Sequence, residues 1–336
     1  MNDDLILLGH GSGGTLSHRL LDDLIIPALS GISPANQNDA AVLVAGDSRL
    51  AFTTDGYVVD PPVFPGGSIG SLSVHGTVND LAMMGARPLW LSCGLIIEEG
   101  LERSLLASIL ADMRRAADEA AIQIVTGDTK VVPRGKADRI FITTSGVGVI
   151  EHPFSIHGSA ARPGDRIILS GSLGDHGIAI MAAREGLPLD GLCSDSAPLW
   201  TLVTEMLDEG GAAVHLLRDP TRGGVATTLK ELARQSAVTF TIDESALQIK
   251  PQVRGLCGIL GLDPLYVANE GKLLACVAPE VAERVLARMH QHPQGQQAAI
   301  IGTVEAGEAG RVRMQTSVGG MRMIEMLAGE QLPRIC

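Results

Sequence analysis

The chain has 336 residues, 45% of them hydrophobic and 19% charged, which predicts a folded globular protein of about two domains. Its net charge of −12 and its aromatic content of 3% argue against nucleic-acid binding, which relies on basic surfaces and base stacking. No apolar run reaches the roughly 20 residues of a membrane span, and no signal-peptide pattern is present, so we expect a cytoplasmic protein without membrane contact.

Hydrophobic periodicity predicts the elements of the first half in chain order. An apolar run at 4–8 predicts a short strand, which a glycine-rich loop and a helix over about 15–29 follow. Further elements are strands at 40–44, 50–54, 57–59, 89–97, 122–126 and 139–149 and helices at about 68–85 and 102–120. Together these elements predict a first domain over residues 1–150.

A segment at 151–165, with two prolines and an Arg-Pro-Gly-Asp corner, predicts a domain boundary. Beyond it, strands and helices alternate, as in an α/β domain over 151–324. The strands are predicted at 166–170, 213–217, 238–242, 273–278, 299–304 and 311–315, and the helices from 175 and at 197–208, 224–236, 251–260 and 279–290. Residues 325–336 are predicted to form a flexible tail, because the last nine residues show neither the helical nor the strand periodicity.

The glycine-rich loop satisfies the G-x-G-x-x-G pattern of dinucleotide sites through Gly9, Gly11 and Gly14. Such a site also needs an acidic residue at the end of the second strand. Here Asp39 precedes that strand and Asp47 lies too far along, which argues against a nicotinamide site. A phosphate cradle at the helix N-terminus remains the hypothesis, and a tight turn without ligand is the alternative.

Five aspartates stand in turn-prone or small-residue settings. A buried carboxylate is costly unless it is paired, hydrogen-bonded or metal-bound, and Mg²⁺ commonly bridges carboxylates to phosphates. Each one alone is more often a cap or turn residue, but the set predicts a Mg²⁺-nucleotide site. The five are Asp39, Asp55, Asp80, Asp128 and Asp219.

Three further residues are candidates for the same site. Arg222 precedes a helix within Asp-Pro-Thr-Arg-Gly-Gly, where a guanidinium can neutralise phosphate; an ordinary turn is the alternative. Lys130 ends a strand and is either a phosphate contact or a solvated surface lysine. Glu270 is either a general base or a charge at the edge of a strand.

The five cysteines contain no CxxC pair, so neither a zinc site nor a disulfide framework is predicted. Four of them are expected to be buried small apolar residues: Cys93, Cys193, Cys257 and Cys276. The fifth, Cys336, ends the chain on a tail of about ten residues that can reach roughly 30–35 Å. Either this thiol is carried by a swinging arm, or it is an incidental terminal residue.

The order of several short motifs gives a resemblance over almost the whole chain. It resembles the HypE family of hydrogenase maturation factors, which are carbamoyl dehydratases of the PurM-like, AIR synthase-related superfamily. Most of these motifs identify only the superfamily, whereas the terminal PRIC distinguishes the HypE family within it. The motifs are HGSGG at 10–14, NDAAV at 38–42, FPGG at 64–67, GTVNDLAMMGA at 76–86, LSCG at 91–94, VTGDTKVV at 125–132, SGSLGDHG at 170–177, RDPTRGG at 218–224, VANEGK at 267–272 and PRIC at 333–336.

The resemblance implies an α/β, PurM-like fold of two domains. The N-terminal domain would bind ATP and pair with a second copy into an intersubunit β-barrel, giving a homodimer, and the C-terminal domain would be an α/β sandwich. The carbamoyltransferase HypF would load a carbamoyl group onto Cys336, and ATP with Mg²⁺ would drive its dehydration to a thiocyanate. The HypC–HypD complex would receive the cyanide for NiFe hydrogenase.

The resemblance also assigns expected roles to the candidate residues. Asp55, Asp80 and Asp219 are the first choices for metal, and Asp39 and Asp128 are second choices for nucleotide contact. The remaining set contains Gly11, Gly13, Gly14 and Arg222 for nucleotide binding and Lys130, Glu270 and His10 for phosphate contact or proton transfer. The alternative is another kinase or ATP-dependent synthase of the superfamily that acts on a free small molecule and has no need of Cys336. A scaffold that docks partners by its tail is the non-enzymatic alternative.

Overall fold

The computed structural model describes residues 5–29, 38–187, 190–327 and 334–336. Its helices are α1 Thr15–Leu20, α2 Ile26–Ala28, α3 Ile69–Met83, α4 Arg103–Glu119, α5 Asp175–Arg184, α6 Trp200–Gly210, α7 Gly224–Gln235, α8 Pro251–Leu260 and α9 Pro279–Met289. Its strands are β1 Ala41–Ala45, β2 Ser48–Tyr57, β3 Val63–Phe64, β4 Gly67–Ser68, β5 Arg87–Glu98, β6 Gln123–Val132, β7 Ile140–Ile150, β8 Arg166–Leu169, β9 Val214–Arg218, β10 Thr239–Asp243, β11 Leu274–Val277, β12 Ala299–Glu305, β13 Arg311–Gln315 and β14 Met321–Ile324. Within these ranges, no helix is both long and apolar enough to cross a bilayer.

The first large sheet has the strand order β1-β2-β7-β5-β6 and is covered by helices on one face. Alternate residues of β7, such as Ile140 and Ile142, are buried in a cluster with residues of α3 and α4. The opposite face exposes large apolar side chains to solvent. A contiguous apolar patch is unusual on the surface of a monomeric soluble protein. These side chains include Leu43, Phe52 and Trp90.

Helix α3 is central: it is buried around almost its whole circumference, and its small and apolar residues pack on all sides. Its Leu72 and Val78 belong to the core of the first sheet, whereas Ala82 and Met83 pack into the second half of the chain. The Ser68 hydroxyl caps its N-terminus by accepting a hydrogen bond from the Gly70 N–H. This helix therefore couples the two halves of the molecule.

Gly70 lets α3 approach α4 closely, since a Cβ at that position would lie 2.2 Å from the Ile109 carbonyl oxygen. Gly70→Ala should therefore lower the free energy of unfolding by about 1–3 kcal/mol through overpacking. The matched control is Gly255→Ala on the exposed side of α8, where nothing lies within 4 Å. That change should raise stability by about 0.5–1 kcal/mol. Urea unfolding of both variants measures the contrast, and equal effects would contradict the packing argument.

The second large sheet has the strand order β14-β13-β10-β12-β8-β11-β9 and carries helices on both faces. The alternate side chains of β8 show that both faces are covered. Ile167 and Leu169 join the cluster that contains α7, whereas Ile168 joins the cluster that contains α6 and α9. The carboxyl end of β9 and the segment before β11 face the first half of the chain, where they contribute to the site described below.

Three expectations from the sequence differ from the structure. Residues 5–8 of the expected strand at 4–8 do not form one, and Leu8–Gly11 is a short 3-10 helix whose apolar side chains are exposed. Strand β14 was not expected, because it is short and only one of its four residues is buried. Cys193 is exposed, unlike the buried Cys93, Cys257 and Cys276.

Candidate active site

An acidic cavity of about 240 Å³ lies where the two halves of the chain meet. The first half supplies Asp39 just before β1, Asp55 from β2 and Asp80 from α3. The second half supplies Asp219 just after β9 and Glu270 just before β11. Residues far apart in sequence therefore contribute carboxylates to one enclosed space.

Three of these carboxylates form a compact cluster. One oxygen from each of Asp39, Asp80 and Asp219 lies within 4.8 Å of the others. The Thr53 hydroxyl donates to Asp80 Oδ2 at 2.6 Å, and the Arg218 guanidinium lies 2.9 Å from Asp39. Asp39, the second choice of the sequence analysis, thus lies inside the cluster, whereas Asp55 lines the same cavity beside it.

Enclosure raises the pKa values of all three clustered carboxyls. Burial raises the pKa of Asp80 well above its usual range, and the charge of Asp55 raises it further. Burial also raises the pKa of Asp39 well above its usual range, although Arg218 opposes the effect. For Asp219 burial raises the pKa to about 6, again against Arg218. Three like charges therefore repel one another in a poorly solvated space.

This donor set fits a hard divalent cation. Mg²⁺ prefers oxygen ligands and retains waters that bridge to phosphate, and the clustered carboxylates carry more negative charge than Arg218 neutralises. A bound cation would favour the ionised carboxylates, because opposite charge lowers a carboxyl pKa. The cluster thus satisfies both the ligand chemistry and the charge requirement of a Mg²⁺ site.

Glu270 is buried beside the cluster with its main chain fixed on both sides. Its N–H donates to Asp195 Oδ1 at 3.1 Å, and its carbonyl accepts from Asn79 Nδ2 at 3.1 Å. Its side-chain Oε1 is buried and has no hydrogen-bond partner. Burial raises the pKa of this carboxyl well above its usual range, and Asp219 raises it further. A positioned carboxylate with a raised pKa is suited to accept a proton.

The last three residues, Arg334–Cys336, of the tail expected at 325–336 are docked in this site; residues 328–333 lie outside the described ranges. A main-chain oxygen of Cys336 accepts from the Val58 N–H at 3.0 Å, and the Arg334 carbonyl accepts from Arg184 Nη2 at 2.8 Å. The Ile335 side chain is only 3% exposed and packs into the core of the first sheet. Main-chain hydrogen bonds and apolar burial together favour this docked position.

Docking encloses the terminal thiol. Burial raises the pKa of Cys336 to about 12, Arg222 opposes this, and Glu270 raises it. The same charge interaction raises the pKa of Arg222, which also donates from Nη1 to the Gly11 carbonyl at 2.8 Å. The docked sulfur is therefore a neutral thiol near neutral pH, whereas a nucleophilic thiolate requires the tail to be outside the site.

A second cavity of about 210 Å³ adjoins the acidic one and shares Cys336 and Arg222 with it. The glycine-rich loop borders both spaces. Gly11 lines the second cavity, and Gly13 lines the acidic one in the left-handed conformation, with φ of 78°. The walls of the second cavity are more apolar and include Leu8, Val58, Tyr266, Ala268 and Ile335.

Four residues expected at the site lie elsewhere in the single chain. Asp128 and Lys130 pair with each other at 2.6 Å on the exposed edge strand β6. His10 turns back to accept a hydrogen bond from the Leu7 N–H at 2.9 Å. Gly14 is the N-cap of α1, where an added Cβ would lie 2.4 Å from the Leu327 carbonyl oxygen. The other expected residues line one or both cavities.

Several site residues were missed by the sequence analysis. Arg218 bridges Asp39 and Glu231, and Tyr57 donates to Asp55 Oδ2 at 3.3 Å. Arg184 and His176 hold the tail. His176 and Arg218 carried a signal, because they belong to the motifs SGSLGDHG at 170–177 and RDPTRGG at 218–224. Arg184 lies 150 residues from its partner Arg334, a contact that no local pattern reveals.

Similarity to known proteins covers the whole of this architecture. Residues 37–150 match the family described as AIR synthase related protein, N-terminal domain, and residues 162–315 match AIR synthase related protein, C-terminal domain. Carbamoyl dehydratase HypE of Rhizobium leguminosarum bv. viciae is 52% identical over 330 residues, which cover 98% of this chain and 94% of that protein. The α/β, PurM-like fold class expected from the sequence is confirmed.

Two solved structures extend the similarity to three dimensions. Hydrogenase maturation protein HypE in complex with ATP matches with a TM-score of 0.83 and 50% identity, over 99% of this chain and 100% of that one. The HypE chain of a HypE–HypF complex matches with a TM-score of 0.86 and 42% identity, over 92% of this chain and 99% of that one. The similarity in three dimensions therefore extends over both halves of the chain.

Proposed function

Since the chain belongs to the HypE family of carbamoyl dehydratases, within the AIR synthase related proteins, we propose that it serves the maturation of NiFe hydrogenase. Its reaction is the ATP-dependent dehydration of an S-carbamoyl group on its own Cys336 to a thiocyanate. ATP binding is supported by the similar HypE structure that contains ATP. The thiocyanate carbon and nitrogen are the source of cyanide ligands for the hydrogenase iron.

One observation carries this proposal: the terminal sulfur lies between two adjoining cavities. Cys336 lines both the acidic cavity and the more apolar one under the glycine-rich loop. A nucleotide base suits the apolar walls, and its phosphates suit the space beside Arg222 and the carboxylate cluster. The substrate group on the sulfur would then face the transferring phosphate, which is the geometry that the reaction needs.

The carbonyl oxygen of the carbamoyl group must first become a better leaving group. It attacks the γ-phosphorus of ATP, the bond from that phosphorus to the β-bridging oxygen breaks, and ADP leaves. One N–H proton passes to solvent water in this step, which gives an O-phosphorylated imidate on the sulfur. Arg222 neutralises charge on the phosphoryl oxygens. Asp39, Asp80 and Asp219 would hold Mg²⁺, with Asp55 beside them, and the cation would neutralise charge on the phosphates.

The second step forms the triple bond. Glu270 removes the remaining N–H proton, the nitrogen electron pair forms the third C–N bond, and the C–O bond breaks to release phosphate. The product is S–C≡N on Cys336. Glu270 suits this role because its buried Oε1 has no hydrogen-bond partner and its pKa is raised. His10 is a weaker candidate for proton transfer, because it is engaged with Leu7 outside the cavity.

The tail must leave the site to be loaded and to deliver its product. HypF is the proposed donor of the carbamoyl group, and the similar HypE–HypF complex supports that partnership. The HypC–HypD complex is the proposed receiver of the cyanide. Loading requires the undocked tail, because burial of the docked thiol keeps its pKa at about 12. Delivery requires it too, because the product must reach a partner outside the cavity.

We also propose a homodimer formed through the outer face of the first sheet. That face exposes Leu43, Phe52 and Trp90, and burial of such a surface favours association. Asp128 and Lys130 lie on the edge strand of the same sheet. Their proposed contacts would therefore be made to the nucleotide and its phosphates bound by a second copy of the chain. Light scattering of the purified protein tests the dimer.

The reaction itself is tested by intact mass. The protein is incubated with HypF, carbamoyl phosphate and MgATP, and its mass is followed before and after ATP turnover. We expect a carbamoyl adduct that then loses one water. The control Cys336→Ala should show neither species while it still binds ATP.

Two outcomes would contradict the proposal. Adduct formation at another residue would place the substrate group elsewhere. ATP turnover without any adduct would favour a kinase or synthase of the same superfamily that acts on a free small molecule.

A further inference from the structure

We infer that His176 is a positioning residue for the dehydration: its imidazole Nε2–H holds the carbonyl of Ile335 and thereby places the Cys336 sulfur for reaction. The inference rests on the proposed function only for the reaction itself. The contact is short, at 2.8 Å from Nε2 to the oxygen, and the imidazole is completely buried. His176 thus holds Ile335, the neighbour of Cys336, which carries the reacting sulfur.

A chain of hydrogen bonds fixes which imidazole nitrogen carries the proton. The Ser196 N–H donates to Ser194 Oγ at 3.1 Å, so the Ser194 hydroxyl proton is free to point elsewhere. The Ile335 carbonyl can only accept, so Nε2 of the neutral ring carries the hydrogen and Nδ1 is an acceptor. The Ser194 hydroxyl, 2.8 Å away, then donates to Nδ1.

The charge state agrees with this assignment. Burial lowers the pKa of His176, so the ring is neutral near neutral pH and has one donor and one acceptor nitrogen. The Phe64 ring meets it edge-on, with centroids 5.7 Å apart and planes at 90°. The imidazole is therefore held from three sides: by Ser194, by Phe64 and by the tail itself.

A matched pair of substitutions separates the two nitrogens. His176→Gln places an amide near the position of Nε2 and can still donate to the Ile335 carbonyl, whereas His176→Asn reaches only the position of Nδ1. Both variants keep a polar side chain in the same buried place. A purely structural role for the imidazole would affect them alike.

The first readout needs no ATP chemistry. Iodoacetamide labelling of Cys336 is followed by peptide mass and normalised to the unfolded chain. Loss of one neutral hydrogen bond should make labelling of His176→Asn about tenfold faster than wild type, with His176→Gln within about twofold. The second readout is the rate of water loss from the carbamoyl adduct, which should fall about tenfold in His176→Asn and be largely retained in His176→Gln.

Equal behaviour of the two variants in labelling would overturn the inference. If wild type itself loses no water from an adduct, the proposed function fails, while the labelling contrast still judges His176. If His176→Asn does not fold, Ser194→Ala decides. That change removes the bias toward the Nε2–H form and should speed labelling about threefold; an unchanged rate would overturn the inference as well.

Discussion

Replacing Asp80 with Asn should slow ATP-dependent dehydration by about a hundredfold to a thousandfold, the usual cost of losing one electrostatic contact to a reacting group. Asp80 is one of three carboxylates whose oxygens lie within 4.8 Å of one another, and an amide is a poorer ligand for Mg²⁺. Single-turnover loss of water from the carbamoyl adduct gives the rate. Titration with Mg²⁺ gives the loss of cation binding.

In the absence of metal, the same substitution should stabilise the folded protein even though it slows the reaction. An Asn relieves repulsion among the buried carboxylates while its side-chain oxygen can still accept from Thr53, so the free energy of unfolding should rise by about 0.5–2 kcal/mol. Added Mg²⁺ should then stabilise wild type and leave the variant unchanged. The control is Asp118→Asn on α4, an exposed carboxylate that pairs with Arg114 at 2.8 Å. Normal activity of Asp80→Asn would remove Asp80 from the metal set.

Glu270→Gln should lower the dehydration rate by about 10²–10⁴-fold, because the amide cannot accept the second N–H proton. The side chains are nearly isosteric, and the main-chain contacts to Asp195 and Asn79 do not depend on the charge. Tight binding of ATP should therefore survive. Glu283→Gln on the exposed surface of α9 is the matched control and should leave the rate unchanged.

The pH dependence gives a second signature of Glu270. A raised pKa means that the carboxyl is still partly protonated at a pH where an ordinary glutamate is ionised. The rate in wild type should therefore increase as pH rises through that raised pKa, since only the ionised form is a base. Glu270→Gln should lack this increase. A wild-type profile that the variant reproduces at lower amplitude would assign the base to another group.

Regular, strongly periodic elements were predicted well because their signal is local. Helix α8 begins with Pro251, helix α9 begins with Pro279, and β13 has alternating burial, so their boundaries follow from the sequence alone. The apolar run at 4–8 has the composition of a strand but no partner strand. Its described residues are exposed, and composition without a neighbour does not make a sheet.

The site was predicted in part for a related physical reason. Asp39, Asp55, Asp80 and Asp219 stood out because each carboxylate has an unusual local setting, and the structure brings them to one cavity. The pairing of Asp39 with Arg218 depends on tertiary contact alone. The docked terminus depends on it too, since its anchors on α5 have no sequence relation to the last residues.

The tail is held by its own main-chain oxygens, and this has a consequence for the direction of the cycle. The contacts to Arg334, Ile335 and Cys336 oxygens do not touch the sulfur, so they contribute equally whether it carries hydrogen, carbamoyl or cyanide. A receptor with equal affinity for several forms shifts no equilibrium among them. These hydrogen bonds therefore cannot favour the docking of one chemical form of the tail over another. Forward flux through the cycle must come from the free energy of ATP hydrolysis.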